Sequence, residues 1–340
     1  MAASASADAA DRTAAIVEHL REPEAYPEKP AQVTVRETHM AWVFLTERYA
    51  YKLKKAVRLS FLDYSTPARR RAAVEAELRL NARLAPWVYL GMVPVLDDGG
   101  RLRLEGAEGT PAAWLVKMRR LPEAGFLDAA IERGTVTADW LTGAAELLGG
   151  FFAAQPAAPL EGGAYVSALR RRVAGDSAAI REAARTGTGQ RAHELAVRLD
   201  RVIQGQADWL GERGAHRIDG HGDLRPEHVA LGPPPAVIDC VEFERDFRLN
   251  DPVEELAFLH LEATRLGAPW VAEPFRCAYA EAAGDHPPPV LTAIYAARRS
   301  LLRAKLAIWH IRPDGTDWAH HHARAEGYLA LGEQFVTGLN

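Results

Sequence analysis

The feature that most limits the possible folds is a change of pattern near Pro122 in a chain of 340 residues. Before Pro122, short segments rich in β-branched and aromatic residues alternate with turns, a pattern typical of strands. After Pro122, apolar residues recur at the spacing of helices. This order predicts an α+β fold with two lobes, a small antiparallel sheet followed by a mostly helical lobe.

The sheet is expected to have five or six strands and to hold one helix. The strands are predicted at Gln32–Arg36, Met40–Thr46, Tyr49–Lys55, Leu90–Leu96, Arg101–Glu105 and Ala113–Met118. The helix should begin after Thr66, because a threonine cap precedes a proline at the first helical position, and should end near Ala85. In the second lobe, helices are predicted at Asp139–Ala154, Val166–Ala184, Gln190–Gly211 and from Pro252 onward, and short β segments at Val229–Leu231 and Ala236–Asp239.

The bulk properties indicate a globular protein with few classes of partner. Hydrophobic residues make up 48% of the chain, and the first residues are small and polar. We therefore expect a disordered tail at 1–20, a sheet lobe at 21–117 and a helical lobe at 118–340. The net charge of −4 favours neither nucleic acid nor a membrane surface as a partner, and no apolar run is long enough to span a bilayer. Two isolated cysteines and the lack of a signal-peptide pattern favour a cytoplasmic protein, expected as a monomer or homodimer.

The strongest chemical signal is His221-Gly-Asp-Leu-Arg-Pro-Glu-His228, which a predicted hairpin connects to Val237-Ile-Asp239. Phosphoryl transfer needs one carboxylate that orients and deprotonates the attacking hydroxyl and another that holds Mg²⁺. Because a hairpin returns the chain, Asp223 and Asp239 can serve a single site. The alternative is that Asp223 caps an ordinary turn and Asp239 ends a strand. No G-x-x-x-x-G-K-[ST] loop occurs, so any nucleotide must be bound by another scaffold.

These residues, together with Asp251-Pro-Val-Glu-Glu-Leu-Ala257, resemble the aminoglycoside phosphotransferase and choline kinase branch of the protein-kinase-like superfamily over roughly residues 30–260. The chain resembles uncharacterised bacterial phosphotransferase-like domains more closely still. The resemblance implies a kinase that uses ATP or GTP with Mg²⁺ and phosphorylates a hydroxyl of a small molecule, such as a sugar, an aminoglycoside or an amino alcohol. It implies that Asp223 is catalytic, with His221 beside it, and that Asp239 binds the metal.

The resemblance also implies a strand lysine that grips the α- and β-phosphates and a helix carboxylate that holds this lysine. Ala50-Tyr-Lys52 alternates a small residue with a lysine, which places both on one strand face. Lys54 shares this face and is the alternative. On the predicted helix, Glu77 falls on the apolar side, where an unpaired charge is costly, whereas Glu75 points away. We therefore expect Lys52 to pair with Glu77.

Four further positions are expected to contact the nucleotide. Lys117 and Met118 should supply hinge backbone contacts to adenine, and Arg225 should bind the nucleotide from the loop that carries Asp223. No glycine-rich turn separates the first two strands. Thr38 in that turn is expected to offer its hydroxyl and backbone N–H to phosphate, with a plain polar turn as an equal alternative.

His228 departs from the pattern of the branch, and Asp251 and three arginines each have two interpretations. His228 stands where the branch has an asparagine metal ligand. We assign His228 to the metal site, although imidazole nitrogen suits Mg²⁺ poorly and contact with phosphate is the alternative. Asp251 is expected to brace the catalytic loop through His221, to cap the helix at Pro252, or both. Three arginines either bind an anionic substrate or form a salt-bridged face: Arg298, Arg299 and Arg303.

These departures leave other functions open. A nucleotide-binding pseudokinase that regulates a partner is the alternative to an active kinase, since His228 and the missing glycine-rich turn both depart from the active pattern. Among active kinases, the pattern does not separate a metabolic enzyme from an antibiotic-resistance enzyme.

Overall fold

The computed structural model describes residues 12–59, 61–106, 108–184, 187–311 and 315–339. The chain divides into two units, of which the first extends to Glu123 and also includes Ala236–Glu244. The second unit comprises Ala124–Pro235 and Arg245–Asn340. This division differs from the predicted boundary between 117 and 118 in two ways. The first unit extends to Glu123, and it includes a segment from late in the chain.

The strands of the first unit before Glu123 are β1 Thr34–Glu37, β2 Ala41–Leu45, β3 Tyr49–Lys54, β4 Arg58–Leu59, β5 Leu62–Asp63, β6 Tyr89–Asp98, β7 Arg101–Leu104 and β8 Thr110–Arg119. In the described part of this unit, six of these strands form an antiparallel sheet in the order β1-β2-β3-β8-β6-β7. Strands β4 and β5 form a separate two-stranded ribbon. The predicted antiparallel sheet is therefore present. Its buried side chains include Phe44, Tyr51 and Leu115, none of which is exposed to solvent.

The predicted disordered tail is wrong for residues 12–20. A helix, α1, occupies 12–19. Ile16, Val17 and Leu20 are buried in one apolar cluster with Phe44 and Tyr51. Leu20 follows Val17 by three positions and Ile16 by four, so helical geometry places the three residues on one face. The remainder of the predicted tail, 1–11, lies outside the described residues.

Helix α2 spans Pro67–Asn81, and the Thr66 hydroxyl caps it by accepting a hydrogen bond from the Arg69 backbone N–H. The helix ends before the predicted position near Ala85. The chain turns instead, and the Leu84 N–H donates to the Asn81 carbonyl oxygen at 3.1 Å. Periodicity could not locate this end, because the apolar residues of the turn are buried as fully as those of the helix.

The second unit is mostly helical, as predicted. Its helices are α3 Leu127–Arg133, α4 Ala138–Ala154, α5 Gly162–Ala183, α6 Thr188–Gly205, α7 Ala207–Glu212, α8 Pro252–Arg265, α9 Ala272–Ala283, α10 Pro289–Trp309 and α11 Trp318–Thr337. The helix predicted at Gln190–Gly211 is two helices, because the backbone leaves the helical region at Gln206, with φ −115° and ψ 15°. Helix α10 lies at the centre of the unit and packs against α5, α8 and α11.

Four short strands lie in the later part of the chain: β9 Ile218–Asp219, β10 Val229–Ala230, β11 Ala236–Val237 and β12 Leu249–Asn250. Strands β9 and β12 pair in the second unit. The strand predicted to reach Asp239 ends at Val237, because Asp239 has a left-handed backbone with φ 62°. Among the described residues, no helix combines the length and apolar character needed to cross a bilayer.

Candidate functional site

Two lysines and three carboxylates form an ion-pair network in the first unit, here called the lysine cluster: Lys52, Lys54, Glu77, Asp239 and Glu242. The Lys52 Nζ atom lies 2.9 Å from Glu77 Oε1 and 2.6 Å from Asp239 Oδ1. The Lys54 Nζ atom lies 2.6 Å from Glu77 Oε2 and also pairs with Glu242. The structure therefore brings together Lys52, Glu77 and Asp239, three of the residues singled out in the sequence. It shows in addition that Lys54 shares Glu77.

The local structure explains why these charges meet. Residues two apart in a strand point to the same side, so β3 presents Lys52 and Lys54 together. Glu77 lies on the buried face of α2 and its side chain has no exposed surface. Burial raises the pKa of Glu77, but the two lysines outweigh burial and hold the pKa below its usual value. Burial lowers the pKa of Lys52, but Asp239 and Glu77 outweigh it and raise the pKa well above its usual value. Lys52 and Glu77 are therefore both ionised near neutral pH.

Asp239 reaches the lysine cluster because the segment after β11 is bound to α2 and β6 of the same unit. The Asp239 N–H donates to the Tyr89 hydroxyl at 3.2 Å, and the next N–H, of Cys240, donates to Asn81 Oδ1 at 2.9 Å. The Asn81 side chain also donates to the Glu77 carbonyl oxygen at 2.9 Å, which links this segment to Glu77. The Asp239 side chain is 45% exposed. An accessible carboxylate oxygen is a ligand that Mg²⁺ prefers, so Asp239 fits a metal site.

The second group of candidate residues is the catalytic loop, His221–His228, in the second unit. Asp223 Oδ2 lies 2.9 Å from Arg225 Nη2, and its side chain is 30% exposed. Arg225 also pairs with Glu227. Burial raises the pKa of Asp223, but the positive charges around it, that of Arg225 first, outweigh burial and lower the pKa to about 2. Asp223 is therefore a carboxylate that can accept a hydrogen bond from a hydroxyl at any physiological pH.

Glu255 on α8 binds the backbone of the catalytic loop. Its carboxylate accepts hydrogen bonds from the N–H groups of His221 at 2.9 Å and of Gly222 at 2.8 Å. Gly222 has φ 89°, a conformation that favours glycine. A Cβ atom at Gly220 would lie 2.5 Å from Glu255 Oε1, so a side chain at this position would displace the Glu255 carboxylate. The sequence reading missed Glu255, although an acidic residue on the buried face of a helix needs a partner and could have indicated one.

Asp251 caps α8, which is one of the two roles expected for it. Its carboxylate accepts a hydrogen bond from the Val253 N–H at 3.0 Å. It also forms two hydrogen bonds with Arg213, at 2.7 and 2.8 Å, and one with the Tyr295 hydroxyl at 3.0 Å. Asp251 therefore ties the start of α8 to α10 and to Arg213, while Glu255 holds the loop.

The chain resembles known proteins in part of its sequence and in its fold. No family model matches the chain. The chain is 31% identical over 279 residues to uncharacterised proteins of Mycobacterium bovis and Mycobacterium tuberculosis, in matches that cover 81% of the chain and 54% of each relative. The chain therefore spans about half the length of the curated relatives it matches.

Solved structures similar to this chain include three small-molecule kinases or kinase-family proteins. A choline/ethanolamine kinase family protein from Mesorhizobium loti has a TM-score of 0.53 and 15% identity, with 94% of both chains covered. A choline kinase from Cryptosporidium parvum has a TM-score of 0.53 and 10% identity, with 93% of this chain and 95% of that chain covered. A glucosamine kinase in complex with glucosamine, ADP and inorganic phosphate has a TM-score of 0.50 and 16% identity, with 93% and 78% covered.

The chain has the protein-kinase-like fold. The predicted fold class and the predicted resemblance are thereby confirmed. At these identities the likeness concerns the fold, so the roles of individual residues depend on the geometry described above.

The strand pairing argues against the expected adenine contacts of Lys117 and Met118. Both residues lie in β8, which has β3 on one side and β6 on the other. Met118 pairs with Ala50 and Tyr89. In such a central strand the backbone N–H and C=O groups face the neighbouring strands rather than a ligand. The Lys117 side chain also has a partner, because its Nζ atom lies 2.7 Å from Glu105 Oε1.

Thr38 forms a plain polar turn, which was the alternative to phosphate binding. Its backbone N–H donates to the Ala41 carbonyl oxygen at 2.8 Å. Its hydroxyl lies 3.0 Å from both the N–H and the carbonyl oxygen of Ala41. The two groups expected to meet phosphate thus close the turn between β1 and β2.

His228 is buried beside Asp223, and both of its ring nitrogens have partners within the catalytic loop. Nδ1 lies 2.8 Å from the Asp223 carbonyl oxygen, and Nε2 lies 3.1 Å from Arg225 Nη2. This arrangement does not fit the expected role of His228 as a metal ligand. Within the described residues, no group of three or more His, Cys, Asp or Glu side chains is arranged to hold a metal ion.

The three arginines of α10 form buried ion pairs rather than an open anion site. Arg298 and Arg299 lie 2.5 and 3.1 Å from Glu254 Oε1, and Arg303 lies 2.6 Å from Glu262 Oε1. The salt-bridged alternative is therefore observed, although on a buried face. The pairs join α10 to α8, the helix that holds the catalytic loop.

Proposed function

We propose that this protein is a kinase that transfers the γ-phosphoryl group of ATP or GTP to a hydroxyl of a small molecule. The observation that carries the proposal is the contact of Lys52 with both Glu77 and Asp239, on a chain with the protein-kinase-like fold. A strand lysine held by a helix carboxylate is the arrangement that binds α- and β-phosphates in kinases. Asp223 supplies the second requirement, a carboxylate for the attacking hydroxyl.

Each residue of the lysine cluster has a separate task in this proposal. Lys52 binds the α- and β-phosphates, and Glu77 keeps its ammonium group in place. Asp239 holds Mg²⁺, which neutralises charge on the nucleotide phosphates. Because Lys52 and Asp239 contact each other at 2.6 Å, binding of nucleotide and metal exchanges this contact for one with phosphate and one with the metal. The exposure of Asp239 makes that exchange possible.

Asp223 orients the acceptor hydroxyl in the transfer step. The hydroxyl oxygen forms a bond to the γ-phosphorus while the bond from that phosphorus to the β–γ bridging oxygen breaks, and ADP or GDP leaves. A carboxylate with a pKa of about 2 is a weak base. The hydroxyl proton therefore moves to Asp223 as the new bond forms, when the oxygen becomes strongly acidic, and then passes to water. Glu255 holds the loop backbone in place during this step.

The solved structures support small-molecule acceptors. One similar structure contains glucosamine and ADP with inorganic phosphate, and two others are named as choline or choline/ethanolamine kinases. The molecules named for these proteins are an amino sugar and amino alcohols. These classes, with aminoglycosides and other sugars, form the first panel of acceptors to test.

The test is to incubate the purified protein with ATP, then with GTP, in the presence of Mg²⁺ and the acceptor panel, and to detect phosphorylated acceptor by mass spectrometry. Asp223→Asn should lower turnover by about 10³-fold or more, because both orientation and proton acceptance are lost. Asp208→Asn is the matched control, since Asp208 is an exposed aspartate in the first turn of α7. Equal product with wild type and Asp223→Asn would contradict the catalytic assignment.

A nucleotide-binding pseudokinase is the second candidate, and two observations favour it. Thr38 closes its own turn, and His228 is bound within the loop. A pseudokinase would bind nucleotide with an affinity independent of Mg²⁺ and would phosphorylate no acceptor of the panel. Isothermal titration with and without Mg²⁺, beside the turnover assay, separates the two functions.

A further inference from the structure

The surroundings of His228 determine which of its ring nitrogens carries hydrogen. A backbone carbonyl oxygen only accepts hydrogen bonds, so Nδ1, at 2.8 Å from the Asp223 carbonyl oxygen, must donate. An arginine nitrogen only donates, so Nε2, at 3.1 Å from Arg225 Nη2, must accept. Both conditions are met by the neutral imidazole with hydrogen on Nδ1.

In this tautomer neither ring nitrogen of His228 offers a metal an available lone pair. Histidine binds metals through an unprotonated ring nitrogen. Nδ1 carries hydrogen, and the lone pair of Nε2 is directed to the Arg225 guanidinium. A metal at Nε2 would have to displace that guanidinium and then lie next to its positive charge. Mg²⁺ also prefers oxygen ligands to nitrogen.

The Arg225 guanidinium lies between Asp223 and His228. Its guanidinium contacts the Asp223 carboxylate at 2.9 Å and His228 Nε2 at 3.1 Å. It also pairs with Glu227, and only 16% of its side chain is exposed. Arginine remains charged at physiological pH, so a permanent positive charge lies beside the carboxylate that meets the acceptor hydroxyl.

We propose that Arg225 supplies a positive charge at the transferred phosphoryl group and that the protein therefore uses one Mg²⁺ per nucleotide. In kinases that have an asparagine where this chain has His228, a second metal ion supplies this charge. This inference rests on the proposed kinase function. His228 is then a positioning residue, because its Nε2 accepts from Arg225 and orients the guanidinium. In the transfer step, Arg225 offers N–H groups to the γ-phosphoryl oxygens while the bond to the β–γ bridging oxygen breaks and the bond to the acceptor oxygen forms.

The first measurement counts metal ions. Mn²⁺ replaces Mg²⁺ as a spectroscopic probe, and electron paramagnetic resonance follows its binding to the full chain with a non-hydrolysable ATP analogue. We expect one Mn²⁺ per bound nucleotide. Asp239→Asn should weaken Mn²⁺ binding at least tenfold, whereas His228→Gln should change it less than twofold. Two Mn²⁺ ions per nucleotide, or a tenfold loss in His228→Gln, would overturn the inference.

The second measurement tests Arg225 by comparing the affinity of the ATP analogue with that of ADP. Arg225→Gln should reduce this ratio about tenfold, and Arg225→Lys should reduce it less, because lysine keeps the charge but not the planar fork. An unchanged ratio in Arg225→Gln would refute contact with the γ-phosphoryl group. Thermal unfolding of each variant identifies loss of fold, and Arg225→Lys is the variant to use if Arg225→Gln unfolds. If wild type binds no nucleotide, the proposed function fails; if it binds nucleotide with two metal ions, this inference alone fails.

Discussion

Replacing Lys54 by methionine should destabilise the protein more than replacing Lys52, and yet should affect nucleotide binding less. The reason lies in the partners of the two lysines. The Lys54 side chain is 2% exposed, and its partners Glu77 and Glu242 are 0% and 8% exposed. Removing Lys54 leaves the buried Glu242 carboxylate without this lysine and leaves Glu77 with Lys52 as its counter-charge. Breaking such a buried pair costs about 3–5 kcal/mol.

Lys52 is in a wetter environment, so its removal should cost less. Its partner Asp239 is 45% exposed and can be hydrated, and Glu77 keeps Lys54. We expect a loss of about 2 kcal/mol, the size of a hydrogen bond to a charged group. Lys55, the first residue after the same strand, is the matched control, because its partner Glu37 is 60% exposed. Lys55→Met should cost about 1 kcal/mol or less.

Urea unfolding at pH 7.5 measures these free energies. Burial lowers the pKa of Lys54, but Glu77 and Glu242 outweigh burial and raise it. A raised pKa means that the contribution of Lys54 is complete below the usual lysine pKa of about 10.4 and is lost only as the pH rises through the folded value, so pH 7.5 lies on the plateau. Isothermal titration should show that Lys52→Met weakens ATP binding by roughly 10- to 100-fold, against about threefold for Lys54→Met.

Two outcomes would refute this reasoning. If Lys54→Met lost less than about 1 kcal/mol of stability, burial would not control the energy of the lysine cluster. If Lys54→Met weakened ATP binding more than Lys52→Met, the phosphate-binding lysine would be Lys54, the alternative that the strand pattern leaves open.

Three further predictions concern the catalytic loop and the first turn. Glu255→Gln should lower kcat about tenfold or more with ATP affinity within twofold, since one of the two oxygens that accept hydrogen bonds from the loop backbone becomes an NH₂ donor. Steady-state kinetics with the substrate found in the panel measure kcat, and isothermal titration measures the ATP affinity. The depressed pKa of Asp223, about 2, means that its contribution to stability is present above the unfolded value of about 3.9 and is lost as the pH falls toward 2. Urea unfolding at pH 7 and pH 3 should therefore show a smaller acid loss in Asp223→Asn than in wild type. Thr38→Ala should cost about 1 kcal/mol and leave ATP affinity unchanged in isothermal titration, and a large affinity loss would restore Thr38 to the phosphate site.

Features that depend on neighbouring residues in the chain could be predicted from the sequence. Alternation along β3 placed Lys52 and Lys54 on one face, and helical periodicity placed Glu77 on the buried face of α2. The spacing of the loop singled out Asp223. The placements of Lys52, Lys54 and Glu77 agree with the structure, because side-chain direction in a regular element follows from position alone. The role of Asp223 stays a prediction.

Features that depend on contacts between distant segments could not be predicted in this way. Nothing in the local pattern of Ala236–Glu244 shows that it belongs to the first unit, where Asn81 and Tyr89 bind its backbone. The same is true of the partners of His228, which decide against its role as a metal ligand. The burial of Leu20 in the sheet core likewise overrode a composition typical of a tail.

The sequence by itself determined the fold class and the pairing of one lysine with one buried carboxylate, and it singled out the aspartate that we propose for the acceptor. Tertiary structure decided which groups become partners. Lys54 joins Lys52 at Glu77, Glu255 binds the backbone of the catalytic loop, and Arg225 donates a hydrogen bond to Nε2 of His228. The physical reason is that a buried charge or a ring nitrogen takes the partner that folding brings within 3 Å or so, and that partner is set by the packing of whole elements rather than by spacing along the chain.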